Sequence, residues 1–113
     1  MTDCLFCKIA AGEIPSTKVY EDDELLAFKD ISPKAPVHIL IIPKKHITSL
    51  ADAQTKDATL LAKIQILAGL LAAQQGIKES GFRVLTNSGK DSGQEVPHLH
   101  YHLLGGGQLG DIC

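Results

Sequence analysis

His98-Leu99-His100-Tyr101-His102-Leu103-Leu104 is the stretch on which the reading of this chain turns. Side chains on a strand alternate between two faces, so His98, His100 and His102 project from one side. Leu99, Tyr101 and Leu103 line the other, which suits packing under a helix. On an α-helix the same spacing would scatter the three rings around the axis. Regular alternation with core-type residues also separates this run from a tag or a solvated histidine-rich edge.

Working outward, the polar loop from Asn87 to Glu95 precedes this strand, and Phe82–Thr86 reads as the strand before it. Lys56 to Gln75 is the one strong helix, stopped by Gly76. Leu60, Ile64, Leu67 and Leu71 form its stripe, and Leu61, Ala68 and Ala72 widen it. Ile66 and Leu70 add apolar surface on another side, so this helix has more than one thing to pack against. Val37–Ile42 is an apolar run broken only by His38 and reads as a buried strand. Val19–Glu21 and Leu25–Lys29 flank Asp22-Asp23 as a hairpin, and Asp30 to Pro36, with two prolines, is a loop. Cys4 to Ala11 reads as a short helix closed by Gly12. Helices set among hairpin-linked strands, without βαβ alternation, predict an α+β domain. Its sheet is mostly antiparallel and five-stranded, with one long helix and a short N-terminal one.

The chain has 113 residues, which allows one domain, 1–113. Hydrophobic residues are 44% and charged residues 21%, which excludes a disordered tail or a fibre. With eleven Lys+Arg against thirteen Asp+Glu the net charge is -2, so no basic surface is available for a nucleic acid. No apolar run approaches a membrane span, and Met1 to Ala10 is no signal peptide, which predicts a cytoplasmic protein without a membrane partner. Three cysteines, Cys4, Cys7 and Cys113, are an odd count, which argues against a disulfide scaffold.

Three imidazoles on one face serve either of two chemistries. They hold a catalytic metal, or one attacks an electrophile while its neighbours orient and protonate. Asn87, Ser88, Gly89, Gly93 and Gln94 supply amides and flexible backbone N–H groups that can cradle a phosphate, or they form a plain solvated loop. Cys4-x-x-Cys7 has the spacing of a structural zinc site, or is two inert thiols at a helix start. Two other patterns carry nothing. Gly105-Gly106-Gly107-Gln108-Leu109-Gly110 fits G-x-G-x-x-G, but a dinucleotide fingerprint must open a helix and three residues remain. Gly89-Lys90 lacks the first glycine and the hydroxyl residue of a phosphate-binding P-loop.

The stretch Gly93-Gln94-Glu95-Val96-Pro97-His98-Leu99-His100-Tyr101-His102-Leu103-Leu104-Gly105-Gly106 resembles the signature of the histidine triad family of nucleotide hydrolases and transferases. Phe28-Lys29-Asp30-Ile31-Ser32-Pro33 through Pro36-Val37-His38-Ile39 resembles its second characteristic segment. Cys4-Leu5-Phe6-Cys7-Lys8-Ile9 and Gly12-Glu13-Ile14-Pro15 are also similar to it. Within that family the chain looks most like the branch of histidine triad nucleotide-binding phosphoramidases.

The resemblance implies a purine nucleoside phosphoramidase working through a nucleotidyl-histidine, with a nucleotide-binding regulatory module as the alternative. His100 would attack the α-phosphorus, His102 would hydrogen-bond a phosphate oxygen, His98 would fix the geometry, and His38 would complete the site. Asp30 would bind the ribose, Ile31 the base, and Asn87, Gly93 and Gln94 the phosphate. Glu95 stands where part of the branch carries a serine that protonates the leaving group, so it acts as an acid or contributes only its backbone N–H. Catalysis would need no cofactor. A structural zinc would be held by Cys4, Cys7, His46 and His98, as in some members of the family. A homodimer is implied as well, and the surplus apolar face of the long helix agrees with it.

Overall fold

The computed structural model describes residues 4–111, so Cys113 lies outside the described residues. Helix α1 spans Leu5–Ala10 and strands β1 and β2 span Lys18–Glu21 and Leu25–Lys29. Strand β3 follows at Val37–Pro43, helix α2 at Ala58–Gln74, then β4 at Phe82–Thr86 and β5 at Tyr101–Gly105. All neighbours in the sheet are antiparallel, in the order β1-β2-β3-β5-β4. The α+β architecture read from the sequence is the one observed.

Local chemistry sets the element ends. Cys4 caps α1 by accepting the Cys7 N–H at its thiol, 3.3 Å away. Gly12, at φ +80°, supplies the left-handed residue just after the helix. Asp22 closes the β1–β2 hairpin by accepting the backbone N–H groups of Glu24 and Leu25, both at 2.8 Å. The long helix begins two residues later than its sequence pattern suggests, because Thr55–Asp57 forms a 3₁₀ turn ahead of it. In that turn Asp57 accepts the Gln54 N–H at 2.9 Å and pairs with Lys45 at 2.6 Å.

The sheet is covered on both faces, which explains why its central strands are apolar at nearly every position. Leu25, Ala27, Ile39 and Ile41 join Leu99, Tyr101 and Leu103 in the core under α2. That core is completed by Ile64, Leu67, Ala68, Leu71 and Ala72 of the helix. The alternate residues Leu26, Phe28, Leu40 and Ile42 pack instead with Phe6 and Ile9 of α1. Because α1 is short, it covers only part of its face. The remainder stays open beside the histidines.

The largest boundary difference from the sequence reading is at β5. The strand expected over His98–Leu104 pairs only from Tyr101, which lies opposite Ile41 on one side and Thr86 on the other. Upstream of it the backbone has other partners: the His98 N–H turns back to the Val96 carbonyl at 2.8 Å, and the Leu99 N–H donates to Ile47 at 2.6 Å. The chain stays extended enough to keep the alternation, so Leu99 still faces α2 and His98 does not.

Truncation of the α2 contact measures this packing. Leu71 is fully buried, and Leu71→Ala should destabilise the fold by about 2–5 kcal/mol. The exposed neighbour substitution Gln74→Ala should stay within about 0.5 kcal/mol in the same urea titration.

Candidate functional site

Strand register assembles the site on the α1 face. His102 lies opposite Leu40 on one neighbour and Leu85 on the other, and His38 lies opposite Leu104. Directly opposed residues share a face, so these side chains line one cavity of about 520 Å³. The cavity brings together His38, His100 and His102 with Asp30, Ile31, Asn87, Gly93 and Glu95, all marked by the sequence. Of the residues given a catalytic or nucleotide-binding role by the resemblance, two do not line it. His98 is fully buried behind the wall, at 0% exposure. Gln94 spends its amide on the loop: its Oε1 accepts the Gly89 N–H at 2.8 Å, and its Nε2 donates to Thr48 and Val96 at 2.8 and 3.0 Å. Its side chain therefore braces the loop.

Hydrogen-bond partners assign the proton on each ring. A carbonyl only accepts, so the 2.7 Å contact between His100 Nδ1 and the His98 carbonyl places a proton on Nδ1. The neutral His100 ring then keeps its lone pair on Nε2. A backbone amide only donates, so the Lys34 N–H, 2.9 Å from His38 Nδ1, leaves that nitrogen bare. Neutral His38 is thus protonated at Nε2, which lies 2.9 Å from His102 Nδ1 and 3.4 Å from Asp30 Oδ2. His102 accepts at Nδ1 and must carry its own proton on Nε2. One main-chain amide fixes two tautomers in series. The result is a bare nitrogen on His100 beside an N–H on His102, with ring centroids 5.2 Å apart.

Burial favours the neutral rings that this scheme needs. It lowers the His38 imidazole below its ordinary range, against the raising effect of Asp30. His102 falls to about 4, chiefly through burial and then through its neighbours His100 and His38. Phe6 packs edge-on against His100 at 5.0 Å and 90° between planes, and against His98 at 6.0 Å. Sequence reasoning missed Phe6, because an apolar residue on a short helix carries no mark of the ring it supports. It also missed Thr86, whose hydroxyl donates to the His100 carbonyl at 2.7 Å.

Behind the triad, Cys4, Cys7, His46 and His98 converge, and this cluster can hold a metal ion. Cys4 Sγ and Cys7 Sγ lie 3.3 and 3.5 Å from His98 Nδ1, and Cys7 Sγ lies 3.3 Å from His46 Nδ1. A tetrahedron with Zn–S of about 2.3 Å and Zn–N of about 2.0–2.1 Å has S···N edges of roughly 3.5 Å. The other ring nitrogen of His98 lies 2.8 Å from the Pro43 carbonyl, so Nε2 carries the proton and Nδ1 is free to ligate. Burial and the adjacent Cys4 raise the Cys7 thiol, so a bound cation would have to displace protons.

A second cluster, Asp30, His38 and His102, is as compact. Its hydrogen bonds run the wrong way for a metal. A ligating histidine donates from its other nitrogen, whereas His38 accepts there from Lys34. Nor do the three triad rings converge on one point, since the ring nitrogens of His98 are directed to Pro43 and the cysteines. The arrangement fits a nucleophile and a donor better than a metal-dependent hydrolase.

Known proteins resemble this chain in sequence and fold. Residues 11–109 match the model of the HIT domain family. The chain is 50% identical over 105 residues to Protein HitA of Neisseria gonorrhoeae, covering 93% of this chain and 97% of that protein. A crystal structure of a HIT family hydrolase from Legionella pneumophila is 55% identical, with a TM-score of 0.94 and 96% of each chain covered. A histidine triad nucleotide-binding protein from Candida albicans is 34% identical, with a TM-score of 0.82 over 98% of this chain and 86% of that one.

The lowered histidines set a pH dependence. His38 and His102 titrate near 6.5 in the unfolded chain and lower in the folded one. Between those values the unfolded state binds more protons, so stability rises with pH. In metal-free protein the melting temperature should fall as pH drops from 7 towards about 4, and His102→Gln should flatten that slope. A melting temperature independent of pH over this window would contradict the assignment of neutral rings.

Proposed function

Because this chain belongs to the HIT domain family, we propose that it is a hydrolase cleaving the P–N bond of adenosine 5′-phosphoramidates through a covalent nucleotidyl-His100. The observation that carries the reading is the bare Nε2 of His100, fixed by the His98 carbonyl and lining the open cavity. A module that only bound nucleotide would not need an aimed lone pair.

On this reading Nε2 of His100 attacks the α-phosphorus as the phosphorus–nitrogen bond to the amine breaks. The amine departs with the bond pair and takes up a proton. Water then attacks the phosphorus and releases a proton to solvent, balancing the one the amine took from it, and His100 leaves with its ring restored. His102 donates its Nε2–H to a phosphate oxygen, where charge develops in the transition state. Asp30 holds the ribose, Ile31, at 98% exposure, lies against the base, and Asn87 with the Gly93 backbone holds the phosphate. Gln94 acts through the loop it braces. One P–N bond is exchanged for another, and the amine is a basic group that accepts a proton readily. An ester would require a positioned acid to assist its alkoxide.

We also assign zinc to Cys4, Cys7, His46 and His98. Four protein ligands leave no open position, so the ion would tie α1 to the His98 segment. The exposed Ile66 and Leu70 on α2, at 67% and 59%, are read as the contact of a homodimer. Among the described residues no helix is long and apolar enough to cross a membrane, in keeping with a single cytoplasmic domain.

His100→Ala should abolish the covalent adduct and lower turnover on the order of 10⁴-fold or more, while adenosine monophosphate still binds in equilibrium dialysis. Full activity in that variant, or label trapped on another residue in a quenched reaction, would rule out the mechanism. Natively purified protein should contain close to one zinc per chain by elemental analysis. Cys7→Ser should lose the metal and melt at lower temperature, and metal-free wild type of unchanged stability would remove the zinc assignment.

A further inference from the structure

Glu95 has a fixed base and a free tip. Gln94 bridges over it, with its backbone N–H on Gly89 at 3.3 Å and its side-chain amide on the Val96 carbonyl at 3.0 Å, and Pro97 stiffens the exit. The Glu95 carboxylate, exposed on the cavity wall it shares with Gly93 and His100, makes no hydrogen bond or ion pair with any described residue. Asp30, the other acid of that wall, is committed: Oδ1 accepts the Ser32 N–H at 2.7 Å, and Oδ2 faces His38 at 3.4 Å.

With the phosphate beside Gly93, as in the reading above, an unpaired anion at Glu95 weakens nucleotide binding, against the attraction of Lys29 and Lys34 elsewhere on the cavity wall. The repulsion is relieved when the substrate brings its own cation to that spot. Resting on the reading above, we propose that Glu95 is a specificity-determining residue that selects nucleoside phosphoramidates whose leaving amine carries a second, positively charged group. Diamines and polyamines have this chemistry: one nitrogen bonded to phosphorus, another free as an ammonium. The ammonium pairs with Glu95 while the bonded nitrogen lies at the phosphorus. Leaving groups that are themselves anionic, such as the phosphates of nucleotide anhydrides, meet like charge and are disfavoured. The same repulsion speeds departure of the monophosphate product once the cationic amine has gone.

The test measures kcat/KM at low salt for three adenosine 5′-phosphoramidates of equal chain length. One is made from a diaminoalkane, one from the plain alkylamine, and one from the amine ending in a carboxylate. Wild type should prefer the cationic over the neutral leaving group by about three- to tenfold, and the neutral over the anionic by a similar factor. The spread should shrink as salt is added. It should collapse in Glu95→Gln and reverse in Glu95→Lys. Wild type and Glu95→Gln sharing the same ratios would overturn the role of Glu95 and leave the phosphoramidase reading standing. Turnover of none of the three by wild type would overturn both.

Discussion

The 2.7 Å hydrogen bond from His100 Nδ1 to the His98 carbonyl makes the site possible, and much of the structure serves to keep that carbonyl in place. His98 is held at both ring nitrogens, by Pro43 on one side and by the thiols of Cys4 and Cys7 on the other. Its ring is fully buried, and Phe6 packs on it edge-to-face. The Leu99 N–H, next along, is tied to Ile47. A peptide gripped at this many points presents its carbonyl in one direction, and the tautomer of His100 follows. The thiol–histidine cluster and the candidate nucleophile therefore share a residue, His98, which joins them through its own backbone.

The two-faced sheet explains how so small a chain separates stability from chemistry. Alternation sends Leu99, Tyr101 and Leu103 under α2, where the larger core lies, and sends the histidines to the face that α1 only partly covers. Polar rings then sit at a core margin, each satisfied by a partner, and none is left as an orphan in the apolar interior. Substitution on one face need not disturb the other beyond the strands they share.

How much of this could be read beforehand follows the same division. The alternation in His98–Leu104 and the 3.6-residue stripe from Leu60 to Leu71 are local patterns, and they were enough to give the sheet, the long helix and the face that bears the histidines. The 3₁₀ turn at Thr55–Asp57 and the late start of β5 were not legible, because each depends on a distant partner: Lys45 for the first, Ile47 for the second. Within the site, titratable residues announced themselves by type. Main-chain groups did not, since every residue but proline carries an amide N–H and nothing in Lys34 marks its own as the one that sets two tautomers. Gln94 has a second task that its type does not announce. An amide in a glycine-rich loop reads as a phosphate contact, and its bonds to Gly89, Thr48 and Val96, which also hold the loop in shape, depend on the fold.

The choice of a main-chain carbonyl to orient His100 has a chemical consequence. In hydrolases that use histidine as a base, a carboxylate steadies the imidazolium formed when the ring takes a proton. A ring that is itself the nucleophile has a different need. Once Nε2 is bonded to phosphorus, the ring must later depart, and it leaves well only if Nδ1 still bears its proton, because neutral imidazole is then the leaving group. A carboxylate at Nδ1 can draw that proton away and force departure as imidazolate, a far poorer leaving group. A carbonyl cannot take the proton. It orients the ring for attack, keeps Nδ1 protonated through the covalent stage, and so favours the second half of the proposed reaction as well as the first.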